Sequence, residues 1–281
     1  MRILHLDAGR EMRGGQWQVL RLIEGLAAAG VESTLLAREG APLYVAARKQ
    51  GWRVQALGIT RAIANLRAHT LIHAHDARSH SLGLFLRGRP LVVSRRVSFP
   101  VGSRWKYGRA GRYLAVSDFV KGVLMQGGVA EEKIAVVYDG VPMLEVAHGT
   151  QVLGLEKDSA LLARMGLKTV VNLEAELPDA AMLVYITNSE GLGSGAMLAM
   201  SAGLPVIASK IGGLPEVIQD GENGLLVENT EAAITAAIAF LQEHPEDAAR
   251  MGANARRTIL ERFTVDRMVK ATLQAYRSVL A

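Results

Sequence analysis

Residues 2–37 read RILHLDAGREMRGGQWQVLRLIEGLAAAGVESTLLA, and this stretch decides the fold. Arg2 to Leu6 alternates and is apolar enough for a strand, Gly9 to Gly15 is a glycine-bearing loop, Gln16 to Ala29 has helical spacing, and Glu32 to Ala37 reads as a second strand. Parallel strands cannot be joined by a tight turn, so a strand–helix–strand unit of this kind implies a crossover and a parallel sheet. The same rhythm continues outward. A helix is expected from Pro42 to Gln50, and further strands at Arg53 to Leu57, Leu71 to His75, Leu91 to Ser94 and Tyr113 to Val116. Strands alternating with helices throughout make the first half a doubly wound α/β domain with both sheet faces covered.

Val136 to Val141, with Asp139-Gly140 as a turn signal and Pro142 behind it, reads as the exit into a linker. A second alternating series follows, with strands expected at Gln151 to Leu155, Thr169 to Asn172, Met182 to Thr187, Pro205 to Ala208 and Gly224 to Val227. Val265, Met268, Val269, Thr272, Leu273, Tyr276 and Leu280 recur at helical spacing, so the chain ends in an amphipathic helix with an apolar face to bury. The expected division is therefore 1–141, a Rossmann-like domain; 142–264, a smaller Rossmann-like domain; and 265–281, the terminal helix.

The 281 residues are about half apolar, enough for two modest cores. No apolar run reaches the roughly 18 residues that would span a bilayer, and the opening Met-Arg-Ile-Leu-His-Leu is too short and interrupted for a secretory signal. With no cysteine in the chain, disulfides, thiolate nucleophiles and cysteine metal sites are excluded. A cytoplasmic location is the expectation. The net charge of +5 is unevenly spread: Ala77 to Ser117 holds nine Arg or Lys residues and no Asp or Glu, which implies a strongly positive face and an anionic partner.

Two glycine-rich turns should lie between a strand's C-terminal end and a helix start, the edge where open α/β sheets bind ligands. Gly14-Gly15 lets backbone N–H groups approach a phosphate at a helix N-terminus. It lacks the Gly-x-Gly-x-x-Gly of a dinucleotide site, and the chain has no Gly-Lys-Ser/Thr loop of a nucleoside triphosphatase. The second turn is Ser189-Glu190-Gly191-Leu192-Gly193-Ser194. Here a carboxylate that can accept hydrogen bonds from sugar hydroxyls stands beside amides that can hold an anion. Gly203 to Ser209, Gly212-Gly213-Leu214-Pro215-Glu216 and Asp220 to Val227 follow; taken singly, each reads as turn chemistry.

Over most of its length the chain resembles family 4 of the retaining glycosyltransferases, whose fold is GT-B, two Rossmann-like domains facing across a cleft. Met1 to Gly15 is similar to that family's first strand and glycine loop, His73-Ala74-His75-Asp76 to its His-x-His segment, Ala115-Val116-Ser117 to its Val-Ser strand end, Val137 to Val141 to its interdomain turn, and Ser189 to Val227 to its most specific stretch. The resemblance implies a nucleotide-sugar donor and no separate cofactor. It assigns Glu190 and His75 to the donor sugar as the catalytic pair, with Gly14, Gly15, Lys157, Gly191, Leu192, Gly193 and Ser194 around the donor. Two departures stand out. The family's second glutamate falls on Leu198, which cannot accept hydrogen bonds from ribose hydroxyls. The region from Glu145 to Leu177 is short, Gly154-Leu155-Glu156-Lys157-Asp158 alone resembling the family's Gly-Arg…Lys-Gly motif, so the second domain is expected to be reduced to roughly five strands.

The barrier in such enzymes falls when charge on the departing diphosphate and on an oxocarbenium-like sugar is stabilised. No metal is expected, since there is no Asp-x-Asp pair and His73 and His75 are placed on opposite faces of their strand. Retention would need no covalent bond to a protein carboxylate, the leaving phosphate being able to take the acceptor's proton. Arg95 and Arg96 follow a strand end and are assigned to an anionic acceptor, because guanidinium forks suit phosphate and carboxylate. Trp105 and Tyr107 interleave with Arg104, Lys106, Arg109 and Arg112, the composition of a surface that meets anionic headgroups, so the acceptor is expected to be an anionic glycan or lipid-linked glycan, with peripheral membrane contact through residues 95–112. No nucleic-acid motif accompanies these charges. The alternatives are a transferase-like protein that binds a nucleotide sugar or glycan without turnover, suggested by Leu198 and the short second domain, and an epimerase or hydrolase on the same fold.

Overall fold

The computed structural model describes residues 1–157 and 160–281. The chain forms two compact units, one of residues 1–138 with 265–281, the other of residues 139–264.

In the first unit the strands are β1 (Arg2–Asp7), β2 (Glu32–Ala37), β3 (Val54–Ala56), β4 (Leu71–Ala74), β5 (Leu91–Arg95), β6 (Arg112–Ala115) and β7 (Ile134–Val136). They form one parallel sheet in the order β3-β2-β1-β4-β5-β6-β7. The order reverses between β1 and β4, and such a reversal opens a crevice at the strands' C-terminal ends. β7 ends at Val136, the first residue of the stretch read as an exit segment. At three residues, directly after Glu131-Glu132-Lys133, it is too short to show alternation in the sequence. A helix at Ile59–Leu66, absent from the sequence reading, fills the crossover after β3.

Helix Gly14–Ala28 explains how the sheet is covered. Val19, Leu20 and Ile23 pack with Leu35, Leu43 and Ala47, while Leu22 and Leu26 join Ile3, Leu71, Val92 and Leu114. The terminal helix, Val265–Leu280, adds Met268, Val269, Ala275 and Tyr276 to that second cluster. Its apolar stripe thus belongs to the core of the first unit.

The second unit carries β8 (Gln151–Glu156), β9 (Lys168–Thr169), β10 (Ala180–Ile186), β11 (Val206–Ser209) and β12 (Leu225–Val227). These pair in parallel in the order β12-β11-β10-β8-β9. The strand expected at Thr169 to Asn172 is only two residues, because Asn172 instead caps the short helix Leu173–Glu176 with its side chain. Met182, Val184, Ile186 and Ile207 pack with Leu162, Ile234, Leu241 and Met251 to form the core. Here too the order turns between neighbours, at β8 and β10, so the loops after these two strands share one crevice.

Candidate functional site

In the first unit, the polar residues of β1 and β4 meet at the sheet's reversal point. Asp7, at the end of β1, accepts from the Gly9 N–H at 2.8 Å and from the Gln16 side-chain amide at 3.1 Å. Asp76 caps helix Ala77–Phe85 by accepting from the Arg78 and Ser79 N–H groups, and its other oxygen accepts from the Ala8 N–H at 2.6 Å. Burial, and next the nearby Asp76 charge, push the Asp7 carboxyl upward. Gly14 and Gly15 are not in a loop before the helix. They form its first turn, with Arg13 at the cap position and the Gln16 side chain accepting from the Arg13 N–H. Gln16 therefore ties the helix start to the end of β1.

His73 and His75 do not lie on opposite faces. Alternation returns every second side chain to the same face, and their ring centroids are 4.0 Å apart. His5, on the neighbouring strand, joins them: its Nδ1 is 2.9 Å from His75 Nε2 and its Nε2 is 3.2 Å from Ser33 Oγ. His73 lies 2.6 Å from the Tyr276 hydroxyl and 2.8 Å from that of Ser94. Among the described residues these three histidines are the one group spaced to share an ion, yet each ring nitrogen has a hydrogen-bond partner and a guanidinium stands beside His75. Burial, and then the other histidines and Arg96, hold His73 and His75 well below the ordinary imidazole value; burial and then His69 bring His5 to about 3. All three are neutral at pH 7.

Arg95 and Arg96, assigned together to an acceptor, go opposite ways. Arg95 is buried, with one terminal nitrogen donating to the Tyr107 hydroxyl at 2.7 Å and the other to the Phe99 carbonyl, so its charge is committed inside the unit. Arg96 lies with its Nη1 3.5 Å from His75 Nδ1, and a side chain added at Gly15 would meet the Arg96 stem at 4.0 Å. A cation thus stands over the first turn of helix Gly14–Ala28, where the helix dipole is positive and an anion would be favoured from both sides. Phe99 and Trp105 are exposed, and the Arg109 guanidinium stacks on the Trp105 ring at 4.1 Å.

In the second unit, Lys157 follows β8 and Glu190 follows β10. Lys157 Nζ is 2.7 Å from Glu190 Oε2, which also accepts from the Tyr185 hydroxyl, while Oε1 accepts from the Gly191 N–H at 2.9 Å. Burial raises the Glu190 carboxyl, but Lys157, Tyr185 and Gly191 outweigh it, and its pKa lies below the ordinary value. Glu190 is an ionised, oriented acceptor at neutral pH. Leu192 is buried, Gly193 takes left-handed backbone at φ 100°, and Ser194 opens helix Ser194–Ser201, so the turn delivers the chain to a helix N-terminus. Of the segment from Gly154 to Asp158, Asp158 lies outside the described residues. Leu198 is an apolar side chain buried in helix Ser194–Ser201.

Four further residues support these clusters. Tyr185 reads as core, and it is buried, but its hydroxyl orients Glu190. Gly212 and Gly213 read as turn residues; a Cβ on either would lie 2.1 Å from the Glu190 or Gly191 carbonyl oxygen, so they are what lets the next loop back against residues 190–191. His5 reads as part of a strand, although a histidine and an aspartate two residues apart in a largely apolar first strand put two polar groups on one sheet face.

Residues 155–258 match the family described as glycosyl transferases group 1, and residues 12–143 the one described as glycosyltransferase family 4. With two parallel sheets of seven and five strands, the fold is that of the GT-B glycosyltransferase structures, and the two matches lie one in each unit. Among particular relatives, the chain is 33% identical over 166 residues to a D-inositol 3-phosphate glycosyltransferase of Streptomyces scabiei, covering 52% of this chain and 37% of that one. It is 27% identical over 185 residues to an MMP alpha-(1->4)-mannosyltransferase of Mycolicibacterium hassiacum, covering 56% and 45%. The chain thus spans less than half the length of these relatives. The solved structure of Anabaena Alr3699/HepE in complex with UDP and glucose superimposes with a TM-score of 0.88 over 99% of this chain and 100% of that one, at 16% identity.

Proposed function

We propose that the chain transfers a hexosyl group from a nucleoside diphosphate donor to an anionic glycan or lipid-linked acceptor, with retention and without metal. The observation that carries this reading is the Glu190 cluster: a partly buried, ionised carboxylate beside a lysine and a glycine turn at a helix start, within the segment that matches group 1 glycosyl transferases. Glu190 would accept hydrogen bonds from donor-sugar hydroxyls, and Lys157 would turn from Glu190 toward the diphosphate, where negative charge grows as the bond to the sugar breaks. Gly14, Gly15 and the amides of Gly191 to Ser194 would hold the phosphates, and His75 would contact the donor sugar. The solved relative bound to UDP and glucose supports a nucleotide-sugar donor.

Chemistry without metal is supported by the hydrogen bonds that engage both ring nitrogens of His5 and of His73 and by the guanidinium beside His75. The proton of the attacking hydroxyl would pass to the leaving phosphate. The anionic acceptor is supported by Arg96 at the helix start, and a relative named for inositol 3-phosphate points the same way. Exposed Phe99 and Trp105 among the basic residues favour peripheral contact with the cytoplasmic face of a membrane.

Calorimetry and mass spectrometry with a panel of UDP-, GDP- and ADP-sugars test this reading. One donor class should bind, Glu190→Ala should weaken it, chelator should leave turnover unchanged, and sugar release should grow when anionic glycolipid is added. Binding that ignores Glu190 overturns the site assignment; binding without turnover in the presence of acceptors would make the chain a nucleotide-sugar binder.

A further inference from the structure

The contact between His5 and His75 fixes more than a distance. Two neutral imidazoles with nitrogens 2.9 Å apart share one proton: two would repel, and none would leave lone pairs facing. The rings are within 14° of parallel with centroids 5.2 Å apart, the arrangement of two rings joined edge to edge by an in-plane hydrogen bond. Which ring donates is decided at the far side of His75. There Nδ1 faces Arg96 Nη1 at 3.5 Å, and a guanidinium has donors and no acceptor, so Nδ1 must turn a lone pair toward it. The His75 proton therefore sits on Nε2 and is donated to His5 Nδ1. His5 then carries its own proton on Nε2, which donates to Ser33 Oγ, a hydroxyl able to accept.

We propose that His5 is a positioning residue that holds His75 in the Nε2–H tautomer, so that His75 meets its ligand as a hydrogen-bond acceptor at Nδ1. The proposal rests on the reading of His75 as a contact to the donor sugar and deepens it: the group recognised there is a hydroxyl that donates, not an oxygen that accepts. His5 is suited to the task because it is wholly buried, with both nitrogens engaged, so water does not compete for the bond. Its neighbour His73 is held separately, by Tyr276 and Ser94, and leaves the relay of Ser33, His5, His75 and Arg96 undisturbed.

Long-range nitrogen–proton NMR of the protein labelled with nitrogen-15 at histidine reads tautomers directly. In the wild-type protein both His5 and His75 should appear as Nε2–H forms. His5→Leu, which leaves only the longer 3.5 Å contact to Arg96 to bias the ring, should let His75 populate the Nδ1–H form, and His5→Asn, whose side-chain oxygen stands near the position of Nδ1, should restore the Nε2–H form. With the donor identified, kcat should fall on the order of tenfold in His5→Leu, the fold-change of about one hydrogen bond, and recover in His5→Asn. A wild-type His75 that reads as Nδ1–H, or a His75 spectrum indifferent to His5→Leu, overturns the proposal. The wild-type spectrum decides this even if His5→Leu does not fold. A protein that binds no nucleotide sugar would overturn the functional reading instead, while leaving the tautomer result to stand or fall by itself.

Discussion

Glu190 keeps a full charge in a nearly closed environment, and it does so because three donors converge on its two oxygens. Removing the carboxylate takes away the acceptor and leaves the Tyr185 hydroxyl and the Lys157 ammonium without it. Hydrogen bonds to charged groups contribute about 1.5–3 kcal/mol, so Glu190→Ala should weaken donor binding by roughly 10- to 100-fold, measured by calorimetry. Tyr185→Phe keeps the ring and removes one donor; its effect on donor affinity should be smaller, about fivefold, with the fold intact by circular dichroism. Glu190 stands out as a candidate in the sequence because a carboxylate in a glycine turn after an apolar strand has few purely structural uses, whereas Lys157 stands out only through its resemblance to a family motif. Tyr185 does not stand out. A tyrosine in an apolar strand has the periodicity of a core residue, and only the path of the turn after β10 brings the carboxylate five residues later back to its hydroxyl.

The strand-end loops carry the next scale of prediction. The 190–191 turn is backed by Gly212-Gly213 so closely that a methyl group on either would overlap a carbonyl oxygen, and Gly212 also has left-handed backbone at φ 59°. Gly213→Ala should displace the turn, costing about 1–3 kcal/mol of stability in urea unfolding and lowering donor affinity together with it. Loss of stability with unchanged affinity would show that the turn does not need this support. At the end of β5, Arg95 and the next residue, Arg96, make a contrasting pair. Arg95→Met should destabilise the first unit by removing a buried, hydrogen-bonded charge and stranding the Phe99 carbonyl, read from the urea midpoint, whereas Arg96→Ala should reduce binding of an anionic acceptor. Adjacent residues of a strand point to opposite faces, which a sequence reader can apply; which face is closed by Tyr107 and Phe99 is known only from the fold.

At the scale of the whole chain, the buried histidines link stability to acidity. His5, His73 and His75 all have folded pKa values below the unfolded value of 6.5, through burial first. The unfolded chain therefore holds more protons below that pH, so stability is complete above it and falls as pH drops toward 3, the folded value of His5. The slope is roughly 1.4 kcal/mol per pH unit for each histidine. Urea midpoints at pH 7.5 and 5.5 should show the loss, and His5→Asn should lessen it; a flat profile would contradict the buried, neutral cluster. The terminal helix is held by the same cluster. Tyr276→Phe leaves the buried His73 Nδ1 without its partner and should cost about 1–3 kcal/mol, read from urea unfolding.

By itself, the amino-acid sequence determined the alternation of strands and helices, and hence two parallel sheets, since no other arrangement lets such a chain bury apolar strands joined by helices. It also determined the chemistry of the 189–194 turn, because backbone freedom and a carboxylate are local properties. The tertiary structure alone decided what each buried polar group faces. It brought His5 to His75 across 70 residues of sequence and Tyr276 to His73 across 203, turned Arg95 inward, and set the terminal helix in the core of the first unit. Sequence patterns report which side of an element is buried; hydrogen bonds between elements depend on strand order and register, which emerge only when the sheets have formed.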